Sequence, residues 1–303
     1  PVLAEALEQV PALQAVLGLV SGPGATGEAV IDNVDLICFT GSVRTGRQVA
    51  ERAARRFIPA HLELGGKDPA VVFEDADLPR AARAIAWASM VNAGQSCMSL
   101  ERCYVQRSVH DHFAELLAER VAALRLNWPD MHGGEIGPII AAPQVDIIEG
   151  HLADAYAKGA RALTGGRVVQ HGGGSWCEPT VLVGVHHGMQ IVREETFAPI
   201  LPLIPFDSED QAITLANDSQ YGLSGAVFTQ DLTRAMRVAG LMKAGGVSIN
   251  DASLTALIHE GGKQSFGLSG MGGSRMGTKT FERFYRQQSY LINSGVDSPW
   301  WYR

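Results

Sequence analysis

The chain has 303 residues, of which 46% are hydrophobic and 19% are charged, a composition typical of a packed globular protein and unlike that of a disordered one. This length accommodates two domains or one large α/β domain. The formal net charge of −7 at pH 7 gives no general attraction for phosphate backbones, so we expect no nucleic-acid partner.

Short apolar runs alternate with helical patterns through the first 66 residues. The predicted elements are, in order, a helix over 2–10, a short buried strand at AVLGLV (15–20), a Gly-rich turn that opens a helix (21–30), a strand over 34–42, a helix over 44–57 and a strand over 60–66. This order is typical of a parallel sheet with crossover helices.

A second α/β series occupies most of the remaining chain. Its predicted strands are 69–76, 102–109, 176–185, 201–206, 222–230 and 245–250, and its predicted helices are 77–94, 110–126, 144–163 and 231–243. The sequence therefore indicates an α/β fold in both parts of the chain.

The C-terminal part departs from this alternation. The Gly-rich segment 261–277 predicts a mobile or wrapping loop, and a short helix follows it. Residues 288–294, QSYLINS, predict a strand that adds to its own sheet or to a partner's. The terminal PWWYR (299–303) either forms a contact surface or packs against the chain's own body.

The surroundings of Cys97 differ from those of the other three cysteines. Cys38 and Cys103 lie within apolar strands, and Cys177 lies beside Trp176, so we predict that these three pack in the interior. Cys97 follows Gly-Gln-Ser, a small and polar setting that favours exposure. An exposed thiol can act as a nucleophile in its thiolate form, although a buried one is usually inert.

The cysteines and the apolar runs of the sequence bear on the cellular compartment, on metal binding and on membrane binding. Four scattered cysteines without a Cys-x-x-Cys pair argue against a zinc ribbon, so we expect no metal centre. Their low density indicates a reducing compartment, and we predict a cytoplasmic location. The apolar stretches are interrupted before they could span a bilayer, so we expect no membrane partner.

Two strand-to-helix junctions, GPGATG (22–27) and FTGSVRTG (39–46), together favour a nucleotide-like ligand. Thr40 and Ser42 offer hydroxyl groups, while Gly41 permits close approach of a ligand to the backbone. Neighbouring junctions at the carboxyl ends of adjacent strands would form one crevice. Each junction taken alone is also consistent with an ordinary helix N-cap.

Two carboxylates have surroundings suited to chemistry. Glu63 lies between two leucines at the end of a strand, which makes it a candidate general base; otherwise it faces water or pairs with Lys67. One of the two adjacent glutamates before Phe197 in the stretch EETFAP, Glu194 or Glu195, could accept hydrogen bonds from sugar hydroxyls through its carboxylate. The simpler alternative for EETFAP is a solvated loop.

In this order, FTGSVRTG, LELGGKDP, NAGQSC, EETFAP, YGLSGAVFT and GGVSIN resemble the aldehyde dehydrogenase superfamily, from about residue 15 to about residue 290. The resemblance implies part of a Rossmann-like dinucleotide-binding domain (1–65), an α/β catalytic domain with a parallel-rich sheet (66–266), and a C-terminal loop, helix and oligomerisation strand (267–303). It also implies NAD or NADP as cofactor, an aldehyde substrate and a homo-oligomer, either a dimer or a tetramer.

The resemblance also implies residue roles. Cys97 is expected to attack the aldehyde and to carry a thiohemiacetal and then a thioester, while Glu63 activates the water that releases the acid. The presence of Glu63 favours hydrolysis over transfer to coenzyme A. The expected cofactor-binding residues are Thr40, Gly41, Ser42, Gly46, Leu64, Glu195 and Phe197.

Two departures from the family pattern keep other interpretations open. Family chains carry a further segment before the point where this one starts, so we expect a C-terminal portion of an enzyme, and Met276 stands where the family has a glutamate. The alternative is a non-catalytic oligomerising or binding remnant of the fold. A narrower third option is a cofactor-independent esterase at Cys97.

Overall fold

The structure, a computed structural model, describes residues 2–273, 276–293 and 295. Its helices are α1 (Val2–Glu8), α2 (Pro11–Gln14), α3 (Gly24–Asp32), α4 (Val43–Arg55), α5 (Leu78–Met90), α6 (His110–Ala122), α7 (Ala142–Ala157), α8 (Gln190–Arg193), α9 (Glu209–Asn217), α10 (Leu232–Leu241) and α11 (Leu254–Leu257). Its strands are β1 (Ile37–Thr40), β2 (Ala60–Glu63), β3 (Asp68–Val72), β4 (Leu100–Gln106), β5 (Arg161–Thr164), β6 (Val168–His171), β7 (Gly174–Cys177), β8 (Thr180–Val183), β9 (Ile200–Phe206), β10 (Tyr221–Gly222), β11 (Ser224–Phe228), β12 (Gly246–Ile249), β13 (Phe266–Gly267) and β14 (Gly270–Met271).

A seven-stranded sheet of order β12-β11-β3-β4-β9-β8-β5 forms the larger part of the fold. All neighbours from β12 to β8 pair in parallel, and β5 pairs antiparallel at one edge. Side chains alternate between the two faces, so Ala70 and Val72 of β3 pack into one apolar cluster and Val71 into another. Helices cover both faces, as burial of a parallel sheet requires.

A smaller sheet of order β1-β2-β14 lies beside the first. Strand β1 pairs in parallel with β2 and sets Thr40 opposite Glu63. Strand β14 comes from the Gly-rich segment and pairs antiparallel with β2, with Gly270 opposite Glu63. Within the Gly-rich segment, Gly270 and Met271 therefore lie along β2, which agrees with the wrapping alternative that the sequence left open.

Local sequence explains where the helices nearest the site begin. The Ser42 hydroxyl accepts the Thr45 N–H at 3.2 Å and starts α4 directly after β1. The Asp77 carboxylate accepts the Arg80 N–H at 3.1 Å and starts α5, as its position before an apolar-periodic run predicts. These two caps determine the residues at which α4 and α5 begin.

Three predicted elements are wrong. Residues 15–20 form no strand: Val16 and Val20 are 77% and 72% exposed, and no strand among the described residues lies beside them to satisfy their backbone groups. The helix predicted over 144–163 ends at Ala157, because Gly159 at φ 96° reverses the chain into β5. The strand predicted over 176–185 is two strands, β7 and β8, separated at Pro179.

The C-terminal predictions are tested only in part. Residues 280–284 form a 3₁₀ turn, which accounts for the predicted short helix. Residues 288–293 form no strand and are exposed, because no strand of the described sheets lies beside them to pair with. Residue 294 and the aromatic segment 299–303 lie outside the described residues.

Two further properties of the chain follow from the described structure. Within residues 2–273, 276–293 and 295, every helix falls short of the length and apolar content needed to cross a membrane. Cys38 was predicted to be interior, and this is wrong: it is exposed, because it lies on the face of β1 opposite to Ile37 and Phe39, which pack against an apolar cluster. Cys103 and Cys177 are buried, as predicted.

Candidate active site

The segment that connects β2 to β3 passes directly beside Cys97. Gly66 lies so close to the carbonyl oxygen of Cys97 that a Cβ atom at residue 66 would collide with it. This close approach explains the glycine in the sequence LELGGKDP. It brings the end of β2, which carries Glu63, next to the turn that carries the half-buried Cys97.

Cys97 lies on a turn between α5 and β4 that side-chain hydrogen bonds hold in place. Asn92 and Ala93 adopt left-handed backbone angles, at φ 54° and 55°, where α5 ends. The Asn92 amide donates to the Gln95 carbonyl at 2.8 Å, and the Gln95 amide donates to the Pro138 carbonyl at 3.0 Å. These hydrogen bonds hold the backbone of the turn in place on the N-terminal side of Cys97.

Glu63 and Met98, the residue after Cys97, line one small enclosed space. Its other lining residues are Leu223, Lys263, Gln264 and Ser265, and its volume is ≈ 10 Å³. A space of this size holds about one water molecule. The geometry thus leaves room for a single water between the candidate base and the candidate nucleophile's loop.

Glu195 faces the same connecting segment from the other side. Its Oε1 atom accepts the Gly66 N–H at 3.0 Å, and Gly65 leaves the space that the carboxylate occupies. Burial, followed by repulsion from Glu101, raises the pKa of Glu195 to about 7. The alternative of a solvated loop is correct for the neighbouring Glu194, which is exposed. It is not correct for Glu195, which is half-buried.

A buried ion pair lies behind Glu195, and sequence reasoning missed half of it. Lys67 Nζ lies 2.6 Å from Oε2 of Glu101, with 1% and 2% of the two side chains exposed. The same Glu101 carboxylate accepts the Thr196 N–H at 2.7 Å and the Phe197 N–H at 2.9 Å. A charged residue inside the buried strand β4 was the available signal, because such a charge needs a partner.

The expected cofactor residues lie in two groups. Ser42, Val43 and Arg44 at the N-terminus of α4 line a cavity of ≈ 460 Å³ together with Glu194, Glu195 and Tyr221. Thr40 and Gly41 immediately precede this helix end and are exposed. Gly46 and Leu64 are buried against each other, since a Cβ at residue 46 would overlap the Leu64 side chain.

The first Gly-rich junction opens onto a different space from the second. Gly24 and Gly27 line a cavity of ≈ 620 Å³ with Cys38, Phe39 and Thr45, between α3 and α4. The single crevice expected from the sequence is therefore two separate cavities, because α4 stands between them. Among the described residues, no group of three His, Cys, Asp or Glu side chains could hold a metal ion.

Comparison with known proteins identifies relatives along nearly the whole chain. A model of the aldehyde dehydrogenase family matches residues 2–290. The 4,4'-diapolycopene aldehyde oxidase of Methylomonas sp is 46% identical over 237 residues, which cover 77% of this chain and 43% of that protein. The 3,6-anhydro-alpha-L-galactose dehydrogenase of Streptomyces coelicolor is 38% identical over 93% of this chain and 58% of that protein.

Solved structures give the same result at the level of the fold. PutA of Anabaena variabilis, assigned as an aldehyde dehydrogenase, superposes with a TM-score of 0.94 at 52% identity, over 98% of this chain and 64% of that one. Betaine aldehyde dehydrogenase of Staphylococcus aureus in complex with NAD+ gives 0.83 at 34% identity, over 92% and 57%. These likenesses confirm the predicted α/β fold.

The relatives are longer proteins than this chain. It spans about half the length of the curated relatives that it matches. The match over residues 2–290 nevertheless covers almost all of the chain, and the resemblance read from its motifs is confirmed. The chain belongs to the aldehyde dehydrogenase family.

Proposed function

We propose that this chain contributes the catalytic residues for NAD(P)-dependent oxidation of an aldehyde to its carboxylic acid. The observation that carries the proposal is the close approach of Gly66 to the Cys97 carbonyl, which brings three functions together. Glu63 ends the strand before this segment, and the Gly66 N–H holds Glu195. A nucleophile, a base and a hydroxyl-binding carboxylate thus surround one stretch of backbone.

Cys97 is the proposed nucleophile. Its sulfur forms a bond to the aldehyde carbon, and the charge that develops on the aldehyde oxygen is stabilised by the backbone N–H of Cys97. A bound nicotinamide supplies the acceptor for the hydride that leaves this carbon. The product on Cys97 is a thioester.

Glu63 is the proposed base for release of the acid. It removes a proton from water, the hydroxide oxygen bonds to the thioester carbon, and the carbon–sulfur bond breaks to return the Cys97 thiolate. The space beside Glu63 and Met98 is large enough for about one water molecule, which supports this role. Water activation at this place favours the free acid as product.

The residues present fit the nicotinamide end of a dinucleotide. The cavity of ≈ 460 Å³ has the N-terminus of α4 at one side and the Glu195 carboxylate at another. A helix N-terminus suits phosphate, and a carboxylate suits ribose hydroxyls. We propose that Thr40, Gly41 and Ser42 hold the phosphate side. In this proposal Glu195 and Phe197 hold the ribose, and the buried contact between Gly46 and Leu64 supports the start of α4 from the interior.

The proposal is tested by mixing the full chain with a panel of aldehydes and NAD+ or NADP+ and recording the absorbance of the reduced cofactor. We expect turnover that Cys97→Ala abolishes. Cys38→Ala, which changes an exposed cysteine away from the turn, is the matched control and should retain it. Turnover that survives Cys97→Ala would contradict the proposed nucleophile.

A second candidate, a non-catalytic oligomerising module, is favoured by one observation. Residues 281–292 expose a run of large apolar side chains, among them Tyr290, Leu291 and Ile292 at 80%, 93% and 86%. Such a run usually marks an interface. A chain that forms stable oligomers in light scattering, yet neither binds NAD+ nor reacts with an aldehyde, would support this candidate over the enzyme.

A further inference from the structure

We propose that Lys67 and Glu101 are a positioning pair that sets the location of the Glu195 carboxylate, and through it the affinity of the site for a nicotinamide cofactor. The link from Glu195 to cofactor affinity rests on the proposed function. The positioning itself does not, because it concerns contacts among the chain's own residues. Neither residue is proposed to touch the substrate or the cofactor.

The pair lies in the interior of the fold. Lys67 and Glu101 are both almost completely buried, and each ion loses its hydration on folding. A pair of apolar side chains of similar volume would give comparable or greater stability. Stability alone therefore does not account for two charges at this place, and their other contacts indicate what they do.

Glu101 holds the backbone that follows Glu195. Its Oε2 accepts the Thr196 N–H at 2.7 Å, and its Oε1 accepts the Phe197 N–H at 2.9 Å. Phe197 has a φ of 52°, a left-handed angle that is unfavourable for a residue with a side chain. The two hydrogen bonds to one carboxylate stabilise this turn.

Lys67 belongs to the backbone segment on the other side of the Glu195 carboxylate. Its neighbour Gly66 donates its N–H to Oε1 of Glu195 at 3.0 Å. The Lys67 carbonyl accepts from Nε of the buried Arg102 at 2.9 Å, and its ammonium group also donates to Thr196 Oγ1 at 3.2 Å. The ion pair thus joins the two backbone segments between which the Glu195 carboxylate lies.

The experiment compares Glu101→Gln, Glu195→Gln and the double variant with the native chain. The first readout is the hydrogen-exchange rate of the Gly66 amide, which needs no cofactor. We expect Glu101→Gln to speed exchange about tenfold, close to the effect of Glu195→Gln, and the double variant to add nothing further. If the increases in the Gly66 exchange rate from the two substitutions add in the double variant, the proposal is overturned.

A second readout is the dissociation constant for NAD+, measured by calorimetry on the same variants. We expect each single substitution to weaken binding about tenfold and the double variant to be no weaker. If the native chain does not bind NAD+, the proposed function fails, while the Gly66 exchange rate still decides the positioning role. Arg237→Met, which breaks the surface pair with Glu209, is the control and should leave both readouts unchanged.

A variant that separates positioning from stability completes the design. Lys67→Met combined with Glu101→Met replaces the ion pair with apolar side chains of similar length, so the chain should fold even if Glu101→Gln does not. We expect one cooperative unfolding transition in urea, at a midpoint lowered by loss of the hydrogen bonds from Thr196 and Phe197, together with fast Gly66 exchange and weak NAD+ binding. Native Gly66 protection in this folded variant would show that the pair only stabilises the fold, and would overturn the proposal.

Discussion

The backbone N–H of Gly66 donates to Oε1 of Glu195 at 3.0 Å, although the two residues lie far apart in the sequence. Burial in this position raises the pKa of Glu195 from 4.5 to about 7, with Glu101 adding repulsion. The Gly66 N–H and the Lys67 charge act in the opposite direction. Ionisation of Glu195 in the folded chain therefore lowers the free energy of unfolding.

Glu195 should therefore give the folded chain a pH dependence that can be measured. Between pH 4.5 and about 7 the folded state keeps a proton that the unfolded state releases, so its contribution to stability is present at low pH and lost as the pH rises. The shift corresponds to no more than roughly 3 kcal/mol. Urea unfolding of the native chain and of Glu195→Gln across this range measures it.

The difference between the two proteins isolates Glu195 from other titrating groups. Burial also raises the pKa of Asp68 to about 7 and lowers the pKa of His151, but both groups are present in the native chain and in the variant. We expect the native chain to lose stability relative to Glu195→Gln as the pH rises from about 4.5 to about 7. A difference that does not change with pH would show that Glu195 is not buried in this way.

Substitution of Gly65 should displace the Glu195 carboxylate. A Cβ atom at residue 65 would overlap the carboxylate oxygens, so Gly65→Ala should break the hydrogen bond from Gly66. We expect NAD+ binding to weaken about tenfold, the value of one charge-assisted hydrogen bond. The measurement is the dissociation constant by calorimetry.

Gly240→Ala is the matched control for this substitution. Gly240 lies in α10, where a methyl group at this residue would meet no described atom within 4 Å, so the change should raise stability by up to about 1 kcal/mol. It should leave the affinity for NAD+ unchanged. Equal affinities for Gly65→Ala and Gly240→Ala would argue against the placement of Glu195 over Gly65.

The four thiols should react in an order set by burial. Cys38 is exposed and Cys97 is half-buried, whereas Cys103 and Cys177 are buried. Burial raises the pKa of both interior thiols, that of Cys177 to about 12, which leaves little thiolate to react. Iodoacetamide should therefore label Cys38 and Cys97 in the folded chain, and all four only after unfolding, as peptide mass spectrometry would show.

The order of helices and strands was largely predictable because apolar periodicity reflects which side of an element is buried. The prediction failed where a strand forms only if a strand distant in the sequence lies beside it. Residues 15–20 have a strand-like composition but no neighbouring strand among the described residues, and β14 forms only because β2 lies beside it. The exposure of Cys38 likewise depends on which face of β1 the rest of the fold covers, which composition does not reveal.

Residues of the candidate site could be predicted where they belong to a recognisable sequence motif. They could not be predicted where two residues come into contact only through tertiary structure. Glu63, Cys97 and Glu195 stand in family motifs, so the sequence placed them together by resemblance. Lys67 and Glu101 come together through the pairing of β3 with β4, a tertiary event that periodicity does not show. The groups of Thr196 and Phe197 that donate to Glu101 are backbone N–H groups, which carry no sequence signal.

Replacement of Glu63 should stop the reaction after the cofactor has been reduced. In Glu63→Gln the thioester can still form on Cys97, but no carboxylate remains to activate water. We expect a burst of about one equivalent of reduced cofactor per chain, followed by turnover slowed roughly 100-fold or more. Intact mass spectrometry should show the chain carrying one acyl group.

The control for this variant is Glu149→Gln, which makes the same change on the exposed surface of α7 and should give native turnover without an accumulated acyl group. Cys97→Ala combined with Glu63→Gln should show neither burst nor added mass, because the thioester requires the sulfur. Continuous native-rate turnover by Glu63→Gln would mean that another group activates the water. The space beside Glu63 and Met98 would then need a different explanation.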